Sequence, residues 1–398
     1  MFFLASLVAS LGILGALHAW LVAVFPWAAR RRRGVAAALF GLWLFQSVAG
    51  WVVVHFHVGH AGSVAYTGLM VVLMTLLLAG IPIGIVRATI WAFDRLLRRR
   101  PWTRQGAAPV AALPATGASE AMTRRQIAEG LGGLAILGAT GSMLGWGMVR
   151  GRHAFELTEI AVPIAGLPRV LDGYVIAQIS DIHAGTYVGE RELREGLARV
   201  REARPDLLVV TGDVVDFDPS YAPLVARLIA DLNPVDGVAA VLGNHDYYTG
   251  AEKVITALRA AGIDPLVNEG RVVRPHDGGG FALLGVDDLW ALRYHRAGPS
   301  LDRALSMVPP DRPRVLLSHQ PRTVDEWAGR VDLQLSGHTH GGQINPGFRP
   351  AALFLDYLAG AYRVGGTTLY VNRGFGTVGP PARVSAPPEI TRIVLVAA

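Results

Sequence analysis

The sequence predicts an α/β domain of two packed sheets flanked by helices, preceded by an α-helical transmembrane region. Three observations predict it. Up to Trp146 the chain is mostly apolar with its charges in clusters, whereas beyond Arg152 it has the mixed composition of a soluble domain. Four apolar stretches in the first part are long enough to span a bilayer, which takes roughly 20 helical residues. In the second part short apolar runs alternate with helical stretches, the βαβ pattern of a mostly parallel sheet with helices on its faces.

The four stretches run from Phe2 to Phe25, Val35 to Val54, Thr67 to Ala92 and Ile127 to Met148. The first lacks a basic start and a small-residue cleavage site, so it reads as an uncleaved helix. The third contains Pro82 and several glycines, which membrane helices tolerate. The fourth is rich in Gly and Ala and carries Glu129 near its start. Arg30 to Arg33 follow the first stretch. Arg95, Arg98, Arg99, Arg100, Arg104, Arg124 and Arg125 lie between the third and fourth, and the loop between the second and third has no arginine. The positive-inside rule places both basic loops in the cytoplasm, so the C-terminal domain faces outward from a multi-pass protein of the cytoplasmic membrane. Thr123-Arg124-Arg125-Gln126-Ile127 also resembles a twin-arginine export signal, which leads to the same side. A fourth segment that does not insert would leave the domain cytoplasmic. The expected layout is a three-helix membrane region over 1–100, a basic linker over 101–126, a fourth helix or signal anchor over 127–149 and a catalytic domain over 153–398. Within the linker, Gln105 to Ser119 is rich in Ala, Pro, Gly and Thr and reads as flexible. His55, His57 and His60 read as interfacial loop residues rather than a metal site.

In the C-terminal part, apolar runs at Val175 to Ile179, Leu207 to Val210 and Val238 to Leu242 are followed by helical stretches at Glu190 to Ala203, Tyr221 to Leu232 and Ala251 to Ala261. Further strands are expected at Val272 to Val273, Phe281 to Val286, Val315 to Ser318, Leu333 to Leu335, Thr368 to Val371 and Ile390 to Val396. In open α/β sheets ligands sit beyond the C-terminal strand ends. Five segments rich in metal-binding side chains fall at such ends. They are Ser180-Asp181-Ile182-His183, Gly212-Asp213-Val214-Val215-Asp216, Gly243-Asn244-His245-Asp246, Ser318-His319-Gln320 and Gly337-His338-Thr339-His340-Gly341-Gly342.

Asp181 and His183 are two apart, which in a strand puts both on one face. Asp213 is a candidate bridging carboxylate, and one carboxylate between two cations holds them about 3.5–4 Å apart. Asn244 offers a neutral oxygen, and His319, His338 and His340 offer nitrogens. Gly341 and Gly342 allow close backbone approach. There is no Cys, which excludes thiolate sites and leaves hard or borderline ions bound by O and N.

In this order and spacing the five segments resemble the calcineurin-like metallophosphoesterase superfamily. The resemblance runs from about residue 153 to the C-terminus. Arg373-Gly374-Phe375-Gly376 and Pro388-Glu389-Ile390 are similar to its bacterial membrane-associated branch. It implies a four-layer αββα sandwich. The oxygen and imidazole donors suit two divalent metal ions, Mn, Fe, Zn or Co. The resemblance assigns Asp181, His183, Asp213 and His340 to one metal and Asp213, Asn244, His319 and His338 to the other. It places His245 over the substrate phosphate. A His near a leaving-group oxygen can act as general acid, with the adjoining Asp246 as the carboxylate that would orient it. Asp216 reads as a cap or supporting residue rather than a ligand.

Tyr247, Tyr248, Trp290, Tyr294 and His295 fall in expected loops, where packing is favoured over a substrate groove. Arg373 and Arg383 are candidates for a second phosphate or an acidic headgroup. Leu353 to Tyr362 reads either as core or as an apolar surface facing the membrane.

The net charge of +6 is modest and much of it lies in arginine runs beside apolar segments, so it reads as topology, with no nucleic-acid partner expected. The leading expectation is a membrane-anchored phosphodiesterase or pyrophosphatase. Its substrate would be a phosphorylated small molecule or a lipid-linked one, and its partner the lipid bilayer. A monoesterase stays open. The alternative is a transporter or receptor with a non-catalytic metal-binding domain, against which the spans carry almost no ionisable residues at their centres.

Overall fold

The computed structural model describes residues 2–55, 60–98, 122–185, 187–274, 276 and 279–398. The chain divides into two compact units, Met1–Leu144 and Gly145–Ala398. The first unit is helical: α1 (Phe2–Val24), α2 (Pro26–Arg30), α3 (Arg32–His55), α4 (His60–Arg98) and most of α5 (Arg124–Val149). Leu17, Trp20 and Val24 of α1 pack with Ala79 and Ile83 of α4. Pro82 lies inside α4 without ending it. Glu129, the acid of apolar α5, lies 2.8 Å from Arg125 and 3.6 Å from Arg87, so its charge is paired. Among the described residues, Leu69–Phe93 and Arg124–His153 are helices long and apolar enough to cross a membrane, and Ser10–Val24 is a shorter apolar helix. His55 ends α3 and His60 begins α4. His57, Arg99, Arg100, Arg104 and the linker over 105–119 lie outside the described residues.

The second unit holds strands β1 (Glu156–Ile164), β2 (Tyr174–Ile179), β3 (Leu207–Thr211), β4 (Val238–Val241), β5 (Asp264–Pro265), β6 (Glu269–Val273), β7 (Phe281–Gly285), β8 (Arg314–Leu317), β9 (Leu333–Ser336), β10 (Gly360–Val364), β11 (Thr367–Val371) and β12 (Glu389–Ala397). They form two six-stranded sheets, ordered β1-β12-β2-β3-β4-β5 and β10-β11-β9-β8-β7-β6. Strands β2, β3 and β4 run parallel, as do β7, β8 and β9. Their C-terminal ends therefore share one edge in each sheet.

Strand periodicity sorts the side chains into layers. Ala177, Ile179, Leu208, Val210 and Ala240 face α6 (Glu190–Ala203), α7 (Ala222–Ala230) and α9 (Ala251–Ala260) in one buried cluster. The alternate residues Ile176, Leu207, Val209 and Val241 meet Phe281, Leu283, Val315, Leu317 and Leu335 of the other sheet. The outer face of that second sheet, with Ala282, Leu284 and Leu316, packs on Leu301, Ala304 and Trp327. These last come from α10 (Leu301–Leu305) and α11 (Val324–Trp327). The fold is the expected αββα sandwich.

Strands β1, β5 and β10 fall outside the expected set. All three lie at sheet edges; β5 is only Asp264–Pro265, and β1 and β10 are interrupted by charges, as with Glu156, Glu159 and Arg363, so none makes an apolar run. The helix expected from Tyr221 to Leu232 is shorter. A 3₁₀ turn over Pro219–Tyr221 precedes it, with the Asp218 side chain accepting from the Ser220 N–H.

Candidate metal centre

Each of the five segments leaves a strand end and turns sharply. Asp181 and His183 lie in the loop beyond β2, so strand alternation is not what aligns them, contrary to the sequence reading. Their backbones adopt φ of 51° and 48°, and Asp213, His338 and His340 have φ of 52°, 73° and 52°. Left-handed backbone is unfavourable for such residues, by about 1–3 kcal/mol each where the conformation is sparsely populated. Five of the seven candidate ligands carry it. Two glycines make room for them. A Cβ on Gly243 would stand 2.2 Å from Asp213 Oδ1, and one on Gly337 would stand 2.2 Å from Asp181 Oδ2.

The seven candidate ligands converge. Asp213 Oδ2 lies 3.5 Å from His183 Nε2 on one side and 3.3 Å from His319 Nε2 on the other. His340 Nε2 stands 3.1 Å from His183 Nε2 and 3.4 Å from Asp181 Oδ1. His319 Nε2 stands 3.2 Å from both Asn244 Oδ1 and His338 Nδ1. Three overlapping groups result, Asp181 with His183 and His340, His183 with Asp213 and His245, and Asp213 with His319 and His338, each with its ligand atoms within 4.8 Å of one another. The first and last share no residue and are the two candidate cation positions.

The tautomers fit cations. The Nδ1 of His319 lies 2.8 Å from the Thr211 carbonyl, which can only accept, so Nδ1 carries the proton and Nε2 offers a lone pair to the centre. Paired imidazole nitrogens and carboxylate oxygens packed this closely have more lone pairs than protons to share. A divalent cation satisfies them, and an all-N/O donor set suits borderline metals. Without cations, burial raises the Asp181 carboxyl above its usual range. For His319, burial opposes charge, but Asp213 beside it lifts the pKa well above the ordinary imidazole value. Burial, with His319 beyond it, pushes His338 down to about 3.

His245 borders this cluster, and the carboxylate facing it is not Asp246. Asp246 is fully buried and its oxygens accept from the backbone N–H groups of Val214, Val215 and Gly243 at 2.9, 3.3 and 2.9 Å. It clamps two motif loops together. Asp216 takes the expected place: its Oδ1 lies 3.1 Å from His245 Nδ1 and 3.5 Å from His183 Nδ1. Burial lowers the His245 pKa, but the charge of Asp213 and the Asp216 carboxylate overcome it and raise it to about 9. The only signal for Asp216 in the sequence was its place three residues after Asp213, which places no side chain.

Tyr247 packs, as favoured, though on helix α8 (Asn244–Thr249) rather than in a loop, and donates its hydroxyl to Asp287. Two arginines differ from expectation. Arg383 is 1% exposed and faces no solvent anion. It donates to the carbonyls of His340, Arg373 and Gly376 at 2.9, 2.7 and 2.9 Å, and burial pulls its pKa down to about 9. It ties the His340 turn to the 373–376 loop. Arg373 is paired with Glu389 and Glu156 at 3.1 and 2.8 Å.

Tyr248 has a more direct part than loop packing. Its hydroxyl accepts from Asn244 Nδ2 at 3.1 Å, which turns Asn244 Oδ1 toward His319. Tyr248→Phe should therefore keep the fold and weaken cation binding at that group about 10–100-fold, as loss of a residue supporting a metal ligand does. Titration of metal-stripped protein reads this. Unchanged affinity would show that Asn244 is held without Tyr248.

Two stacked sheets whose strand ends gather carboxylates and imidazoles describe a metal-dependent hydrolase. The calcineurin-like phosphoesterase family model matches residues 174–342. The chain is 33% identical over 287 residues to an uncharacterized metallophosphoesterase, YkuE, of Bacillus subtilis (strain 168), covering 69% of this chain and 98% of that one. It is 35% identical over 224 residues to an uncharacterized metallophosphoesterase of Aquifex aeolicus (strain VF5), covering 55% and 84%. It is also 35% identical over 259 residues to a transmembrane protein with metallophosphoesterase domain of Danio rerio, covering 63% of this chain and only 59% of that one. The chain belongs to the calcineurin-like phosphoesterase family.

Proposed function

We propose that the chain is a membrane-anchored phosphoesterase that holds two divalent cations and hydrolyses phosphodiester or pyrophosphate bonds. The observation that carries the two-cation reading is Asp213, whose Oδ2 lies between His183 Nε2 and His319 Nε2. Asp181, His183, Asp213 and His340 would hold one cation, and Asp213, Asn244, His319 and His338 the other. When bound, the cations neutralise phosphate oxygens and acidify the attacking water. Mn, Fe, Zn and Co all suit these donors. His245 acts as general acid: with Nδ1 facing Asp216, its Nε2 proton is the one available to the departing oxygen. The apolar helices over Leu69–Phe93 and Arg124–His153 support the anchor, as does the name of the Danio rerio relative. The arginine distribution supports an outward-facing domain. An anchored enzyme of this kind suits a lipid-linked phosphate.

The test uses the full-length protein in detergent with a chromogenic phosphodiester, comparing added Mn²⁺ with EDTA. Turnover that needs the metal and returns on its re-addition is expected. Protein with metal verifiably bound but inert toward phosphodiesters and lipid pyrophosphates would turn the reading to a non-catalytic binding domain.

A further inference from the structure

One surface segment of the domain exposes large apolar side chains that no part of the candidate centre uses. Within residues 347–356, Phe348, Leu353, Phe354 and Leu355 are 57, 75, 68 and 39% exposed. Four large apolar side chains exposed within ten residues concentrate apolar surface on one loop, the kind of surface that marks interaction sites on soluble domains. The segment is firmly based. Asn345 Nδ2 donates to the Gly341 carbonyl at 3.0 Å, and the Thr339 hydroxyl donates to the Leu358 carbonyl at 2.6 Å. Both ends of the loop are thus fixed to the turn that carries His338 and His340. Pro350–Leu353 forms a 3₁₀ turn that holds the tip in shape.

The neighbouring structure indicates what covers it. Ile344 bridges Val384, and the adjoining Arg383 N–H donates to the Gly147 carbonyl in the last turn of α5 at 3.1 Å. The helix over Arg124–His153 is one of the two long and apolar enough to cross a membrane. The loop therefore springs from the strip of the domain on which that helix ends. Its charge also fits: Arg349 lies among the apolar residues, and no acid occurs before Asp356. Aromatic and aliphatic side chains with an interspersed arginine suit the boundary between acyl chains and anionic headgroups.

We propose that residues 347–355 form a lipid-contacting loop, seating Phe348, Leu353 and Phe354 in the interface of the bilayer that anchors the chain. This rests on the membrane-anchored reading above. Its consequence is that the centre is held at the headgroup level, where a phosphate carried by a lipid reaches it without leaving the membrane.

The chain has no Cys, so Leu353→Cys in the full-length protein gives a single site for an environment-sensitive fluorophore. Phe348→Cys gives a second. Val235→Cys, in the turn before β4 and 81% exposed, reports from the opposite strand ends. The protein is reconstituted in vesicles of phosphatidylethanolamine and phosphatidylglycerol, with nitroxide-bearing lipids or aqueous iodide as quenchers. Lipid nitroxides should quench positions 353 and 348 at least twofold more than 235, with iodide showing the reverse order. Equal lipid quenching at all three positions overturns the proposal. So does a label shielded from both quenchers, which would mean that a protein, a second copy included, covers the loop. Chain that fails to float with the vesicles overturns the membrane-anchored reading and this inference together. Flotation with a water-exposed loop overturns this inference alone.

Discussion

An Asp213→Ala protein should lose hydrolysis and metal together. Among the described residues, Asp213 is the carboxylate whose oxygen faces an imidazole of each cation group, so removing it leaves both sets of ligands one anion short. Cations supply several kcal/mol of charge stabilisation in phosphoryl transfer. At about 1.36 kcal/mol per decade, their loss should cost roughly 10³-fold or more in rate. The backbone complicates the alanine. Asp213 has φ of 52°, a conformation Asn and Asp tolerate better than Ala does. It also accepts the His245 N–H at 2.8 Å through Oδ1. Asp213→Asn keeps the shape, the tolerance for that backbone and an acceptor, and changes only the charge. Both variants are therefore measured for metal content by elemental analysis and for folding by thermal unfolding. Folded Asp213→Asn that is depleted of metal and inactive assigns the loss to the carboxylate. Wild-type metal content and turnover in that variant would remove Asp213 from the centre.

The ends of β2, β3, β4, β8 and β9 were legible in the sequence because each is a short buried run, mostly Val, Leu, Ile and Ala, in the parallel part of its sheet and covered on both faces. The segments that follow them were legible for the same reason, since a polar cluster after such a run has only the sheet edge to occupy. Edge strands β1 and β10 carry charges on their open side and do not stand out. Distances within the site were beyond the sequence for a different reason. Asp181 and His183 are brought to bear by left-handed backbone rather than strand alternation, and no local pattern encodes that choice. The glycines that matter most to the ligands are Gly243 and Gly337, which a Cβ would drive into Asp213 and Asp181, rather than Gly341 and Gly342. The exchange of Asp246 for Asp216 shows the same limit. Adjacent residues on the short helix α8 point to different places, so the carboxylate next to His245 in sequence bonds backbone, while one 29 positions earlier in sequence faces its ring.

That pair yields the second large effect. His245→Gln should bind metal as the wild type does and turn over about 10²–10⁴-fold more slowly, the usual contribution of a positioned general acid. The deficit should shrink for a phosphodiester with an acidic leaving group such as nitrophenol, because a good leaving group needs no proton. A purely structural role for His245 would slow good and poor leaving groups alike. Asp216→Asn separates positioning from proton donation. Its carboxylate and that of Asp213 act to raise the His245 pKa against the effect of burial. Without the Asp216 charge the imidazolium is less favoured, so the pKa falls and the acid form is lost at lower pH. The alkaline limb of the kcat profile should move toward neutrality in Asp216→Asn and disappear in His245→Gln. Because Asp216 also lies 3.5 Å from His183 Nδ1, metal content is measured beside each profile. A shifted limb at full metal occupancy places the effect on His245. An unshifted limb in Asp216→Asn would mean that the group titrating on the alkaline side is not His245.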